Sequence, residues 1–172
     1  MREMFRYALL TVGFKYGALA AGFSLLTALL LFNFKYDPMG QFRLLIGVIT
    51  VVVMVLAMRN YKYIYNQGNL NVTHGFMVSM AIGLVSALMY SVALYVWIAF
   101  SNDLWQLHID DQLRTLEQGR ATIEKNYASG QFEKIKESIL SASKSYIAIT
   151  TFFFRLMWSL LIGFMVSIYY RN

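Results

Sequence analysis

Four apolar stretches decide what this chain can fold into: Tyr16 to Phe34, Leu44 to Met58 with an aromatic extension to Tyr65, Gly75 to Phe100, and Tyr146 to Tyr170. A bilayer core of about 30 Å is crossed by about 20 apolar residues as helix, and each stretch reaches that length or comes close. Between the third and fourth the character changes, because residues 101–145 hold 13 of the 24 charged residues. The expected fold is all-α: an integral membrane four-helix bundle in a single domain, 1–172, with an extramembrane amphipathic helical hairpin between helices 3 and 4. The spans are expected at about 14–34, 40–62, 75–100 and 148–170. With 58% hydrophobic and 14% charged residues, the chain lies outside the composition of soluble domains.

The net charge of +6 does not point to nucleic acid once it is divided. Residues 101–145 carry six Lys or Arg against seven Asp or Glu, while the rest carries nine against two. Those basic residues lie at helix ends, where headgroup phosphates attract them. With no cysteine, there is no disulfide, thiolate metal site or Cys nucleophile. The first apolar stretch lacks a small-x-small cleavage site and reads as a retained helix. Asp37 and Pro38 predict the start of the second helix near Pro38, and Asn66-Gln67-Gly68 its end. Four crossings put both termini on one side, and the basic residues Arg2, Arg6, Lys15, Arg59, Lys62 and Arg171 favour the cytoplasm.

Small residues recur every fourth position: Gly75, Ser79, Gly83, Ala87 and Ser91 in the third span, Ser159, Gly163 and Ser167 in the fourth, and Gly13, Gly17 and Ala21 in the first. Close backbone approach along such rows is a main source of helix association in lipid. Helices 3 and 4 are therefore expected to pack antiparallel. With helix 3 leaving the core near Phe100 and helix 4 entering near Thr150, Ser91 falls level with Ser159, Ala87 with Gly163, and Gly83 with Ser167.

Arg155 is the charge that lies clearly inside a span, where a basic residue is a functional hypothesis by default. It is expected about 7 to 8 Å deep, shallow enough to snorkel to phosphate or to bond Tyr95 at its own level. An anion or lipid-headgroup site at Arg155 and Tyr95 is the alternative. His108 with Asp110 and Asp111 is the one carboxylate-histidine cluster, read as a wet interfacial histidine; no catalytic, cofactor or metal site is expected.

In the polar segment Trp105, Ile109, Leu113, Leu116, Ile123 and Tyr127 recur at helical spacing and offer a docking surface led by Trp105, Ile109, Leu113 and Leu116. Ala128-Ser129-Gly130-Gln131 breaks this first leg from a second. The legs are unequal, about 37 Å and about 22 Å as helix, so the first is expected to tilt along the membrane rather than break again at Gly119.

Met58-Arg59-Asn60-Tyr61-Lys62 leaving the second span, the turn Gly68-Asn69-Leu70-Asn71-Val72-Thr73-His74-Gly75-Phe76, and the charged segment followed by Phe152 to Arg171 together resemble domain-of-unknown-function family 4199, small four-helix bacterial membrane proteins found mainly in Bacteroidetes. The chain departs from that family at His74-Gly75 and in lacking a proline before the fourth span. The resemblance implies the bacterial inner membrane and brings no activity or site residues. The expected role is a non-enzymatic scaffold or accessory subunit that docks a partner or a lipid surface through residues 101–145. A small transporter or lipid-binding bundle is the alternative. The expected partners are the lipid bilayer and a membrane protein or second copy of the chain, with no nucleic acid and no cofactor.

Overall fold

A computed structural model describes residues 2–65, 67–126 and 130–171, with the backbone alone for residues 2–8. The expected stop at Asn66, Tyr127 of the expected stripe, and Ala128 and Ser129 of the expected break lie outside the described residues. Helix α1 (Arg2–Asn33) is followed by α2 (Arg43–Asn60), which opens into a π-helical turn at Tyr61–Tyr65, and by α3 (Val72–Phe100). Three short helices, α4 (Asn102–Gln118), α5 (Arg120–Asn126) and α6 (Gln131–Leu140), lead into α7 (Lys144–Tyr169). There is no strand among the described residues. Four segments, Leu9–Asn33, Arg43–Tyr65, Val72–Phe100 and Lys144–Tyr169, are long and apolar enough to cross a membrane, which suggests a membrane protein.

Helix α3 is the axis of the bundle, packed most extensively against α7 and α1. Its small residues explain how. A Cβ added at Gly83 would lie 2.5 Å from the Ser159 Cβ, one at Gly163 2.5 Å from the Ser79 Cβ, and one at Gly75 3.1 Å from the Ser167 Cβ. On the neighbouring face, Cβ atoms at Gly13 and Gly17 of α1 would lie 2.7 Å from the Ala81 Cβ and 2.6 Å from the Val85 Cβ. At these sites the missing side chain is what lets two helices touch.

The small rows of α3 and α7 therefore meet, but not in the expected register. Ser159 lies beside Gly83 instead of Ser91, Gly163 beside Ser79 instead of Ala87, and Ser167 beside Gly75 instead of Gly83. Ala87 and Ser91 are buried further along α3. Most of the slip of eight residues along α3 goes with the early start of α7, which is already helical at Lys144, six residues before Thr150.

Helix α2 starts at Arg43, later than the expected Pro38 or residue 40. Asp37 Oδ1 accepts the Met39 N–H at 2.9 Å, so Asp37 caps a turn over residues 38–42 rather than the helix itself. Lys35, with φ 63°, reverses the chain just after α1.

The first leg of the polar segment does break at Gly119, contrary to the expected unbroken tilt. The Gly119 N–H bonds the carbonyls of Thr115 and Leu116, both at 3.1 Å, and closes α4. The helical course resumes at once in α5, with the Arg120 guanidinium 4.7 Å from the centre of the Phe132 ring and bonded to Glu117 and Glu124 on either side of the break. The break lets α4 and α5 both pack on α6.

Two apolar clusters fill the bundle. Val12, Met54, Met58, Tyr61, Val78 and Ile82 pack near the chain termini. Ala28, Met39, Ile46, Tyr90, Leu94 and Ile98 pack at the other end, and Leu104 of α4 joins them with no exposure. Leu104 thus roots the polar segment on the bundle.

Candidate functional site

Between the two clusters lies a layer of hydroxyls. Thr50 is one turn from both Ile46 and Met54, and Ser86 one turn from both Ile82 and Tyr90. With Ser24 of α1 these hydroxyls face the Arg155 guanidinium, whose Nη2 donates to Ser24 Oγ and Thr50 Oγ1 at 3.0 Å and to Ser86 Oγ at 3.4 Å. The Tyr90 ring lies against the same guanidinium, 4.1 Å from its centre, a cation–π contact worth about 0.5–2 kcal/mol.

Arg155 is eleven residues into α7, about 16 Å along the helix, and is 9% exposed. Its guanidinium is turned into the bundle, because the register slip sets it beside Ser86 and Tyr90 of α3 and not at the level of Tyr95. Its expected neighbour is also corrected. Tyr95 is exposed beside Leu88 and Phe152 on the outside of α3 and α7, while Tyr90, one turn and a little deeper, holds the guanidinium. Among the described residues, the ion pairs are His108 with Asp37, Arg114 with Asp111, and Arg120 with Glu117 and Glu124. Among these residues no carboxylate is paired with Arg155.

A cavity of about 280 Å³ opens above the guanidinium. The turn at Pro38 and Met39 and helices α2, α4, α6 and α7 wall it, and Arg43, Tyr90, His108, Gln112, Thr151 and Arg155 supply its polar lining. Arg43 is fixed by its own contact, its guanidinium 4.3 Å from the centre of the Phe154 ring. Two cations and several hydrogen-bonding groups thus converge on one void, the usual anatomy of a small-molecule pocket.

His108 forms part of the roof. It is 5% exposed, not wet as expected, and its Nδ1 lies 2.7 Å from Asp37 Oδ2. Asp37 comes from the α1–α2 link, 71 residues away, so the pair pins α4 to the bundle. Asp111, the expected partner, pairs with Arg114 at 2.6 Å. Gly40 closes this corner: a Cβ there would lie 2.7 Å from Asp37 Oδ2 and 2.7 Å from Asp111 Oδ2. Among the described residues, no group of three or more His, Cys, Asp or Glu is placed to hold a metal ion.

The stripe expected to dock a partner is turned inward. Leu116 is buried, Trp105 packs on the upper apolar cluster, Ile109 lines the cavity, and Leu113 is half-buried. In the helix-packing rows, the hydroxyl oxygens of Ser79 and Ser91 have no hydrogen-bond partner among the described residues, in keeping with places where small size serves the packing.

Sequence reasoning singled out Arg155 but set it level with Tyr95, gave Asp37 only a capping role, and missed Ser24, Thr50, Ser86 and Tyr90. The signal for the hydroxyls was that each is an isolated polar residue in an apolar helix and needs a partner in lipid. Asp37 was, with Glu3, one of only two acids outside residues 101–145.

A family model described as a protein of unknown function, DUF4199, matches residues 15–171, nearly the whole chain. The chain belongs to that family. The matched region takes in the whole hydroxyl layer, the cavity and the polar segment, so the features above fall within the DUF4199 unit. No curated protein and no solved structure matches the chain.

Proposed function

We propose that this DUF4199 protein is a membrane-embedded binding protein that holds an anionic group in the cavity between α2, α7 and an extramembrane cap formed by α4 to α6. Arg155 carries the reading: among the described residues, a nine-tenths buried guanidinium meets neutral hydroxyls and a ring with no acid, and it lines a void. A guanidinium stays protonated in proteins, and a buried charge without a counter-ion is costly. An anion from outside would complete it, and Arg43 adds a second positive charge at the same void.

The reading is a form of the lipid-binding alternative. It is favoured over a scaffold docking through residues 101–145 because the apolar stripe of α4 packs on its own bundle. It is a role in binding without chemistry, since the His–Asp pair in the cavity wall is used to join α4 to the α1–α2 link. With the termini in the cytoplasm, as the basic helix ends favour, the cap faces outward.

Inorganic phosphate titrated calorimetrically into the purified full chain in a non-ionic detergent tests this. Arg155→Gln keeps an amide donor on the side chain and removes the charge. Losing one partner of a buried charge pair costs about 2–5 kcal/mol, so phosphate affinity should fall by more than about tenfold. Equal phosphate binding by both proteins would remove the proposal.

A further inference from the structure

The cavity does not end at Arg155. A second void of about 190 Å³ runs along the outer gap between α2 and α7, and Arg43, Phe154 and Arg155 line both. The rest of this groove is almost wholly apolar: Leu44, Val48 and Val51 on one side, Phe154, Trp158 and Ile162 on the other. It extends along α2 from Arg43 to Met54, about 16 Å at helical rise. Trp158, which lies far down α7, is 44% exposed and forms part of the wall. Polar void, paired cations and apolar groove follow one another in the order of a headgroup and its chain.

Resting on the anion-binding reading above, we infer that the ligand is a single-chain anionic amphiphile: its phosphate or carboxylate sits at Arg155 and Arg43, and its acyl chain lies in the α2–α7 groove, entered sideways from the bilayer. Charge complementarity selects the anion, because the shared wall holds two guanidinium groups and no acid. The groove selects a chain, because an apolar trough in lipid is lined most cheaply by hydrocarbon. A free phosphate would fill the cavity and leave the groove unused. The size of each void also fits one chain rather than a bundle of them, since the cavity lies near the lower end of the ~300–1,000 Å³ seen for ligand pockets.

Gly47 supplies the test. It lies in the groove wall, and a Cβ added there would meet nothing within 4 Å. The side chain of Gly47→Phe therefore starts in open space within the trough. Binding of three probes to the full chain in non-ionic detergent would be compared: inorganic phosphate, lauroyl lysophosphatidic acid and the uncharged monolaurin. The wild-type protein should bind lauroyl lysophosphatidic acid at least about tenfold more tightly than phosphate, and monolaurin more weakly than either. Gly47→Phe should erase the advantage of the chain while leaving phosphate affinity unchanged, which also shows that the variant is folded. If Gly47→Phe binds the lysolipid as the wild type does, or if the wild type gains nothing from the chain, the amphiphile is wrong while the anion site stands. If monolaurin binds as tightly as the lysolipid, the charge is not what is recognised and both readings fail.

Discussion

A guanidinium held between three hydroxyls and a ring costs stability, because neutral dipoles replace only part of the hydration it gave up. Arg155 is in that position, with Ser24, Thr50 and Ser86 around one nitrogen and no acid paired with it among the described residues. Replacing a buried charge by an apolar residue of similar volume is often neutral or stabilising by about 1–4 kcal/mol, and freed serine and threonine hydroxyls can bond carbonyls of their own helices. Arg155→Met should therefore leave thermal stability in detergent unchanged or raised while phosphate binding is lost. A large drop in melting temperature would instead make the guanidinium a strut between helices. At this scale the sequence is informative about which residue is odd and silent about its partners. Arg155 stands out as a charge in a span, whereas Tyr90 and Tyr95 are equally plausible neighbours until the register of two helices is known.

Register belongs to the elements. The rows of small residues in α3 and α7 mark the faces that meet, since only there can backbones come within contact, and the alternation of four is visible in the sequence. The level at which the rows meet depends on where α7 starts, and that depends on the polar segment between them. The charged residues just before Tyr146 suggest a late entry, but Ser143 caps α7 by accepting the Tyr146 N–H, so the helix begins at Lys144. The chain has no cysteine, which makes the register open to cross-linking. Gly75→Cys with Ser167→Cys would place two Cβ atoms 3.1 Å apart, a few tenths from the ~3.5–4.5 Å of a disulfide. Gly83→Cys with Ser167→Cys, the register expected from the spans, differs by eight residues or about 12 Å along α3. The first pair should oxidise readily and the second should not. Efficient closure of the second pair alone would overturn the register, and with it the depth of Arg155.

For the whole molecule, the polar segment is a lid fastened to the bundle at two kinds of point. Leu104 enters the upper apolar cluster, and the His108–Asp37 pair, with side chains 6% and 1% exposed, joins α4 to the α1–α2 link. A fold of four apolar helices with a polar insert is legible from composition, but where the insert lies is not, because Asp37 and His108 are far apart in sequence and the Gly119 break competes with a longer helix. Removing one partner of a buried pair costs about 3–5 kcal/mol, more than most local contacts supply. His108→Ala strands the Asp37 carboxylate and should loosen α4, seen as amide hydrogen exchange faster by about a hundredfold or more over residues 104–116, with α3 unchanged. The double variant with Asp37→Ala should lose less than the two single effects combined, since neither side chain is then left without its buried partner. A ligand bound in the cavity as proposed would touch both lid and bundle, and the coupling would run both ways. Lauroyl lysophosphatidic acid should slow exchange in α4 and α6 of the wild-type protein and do nothing to them in Arg155→Gln. A lid that exchanges at the same rate with and without the lysolipid would mean that the cavity and its roof do not act together.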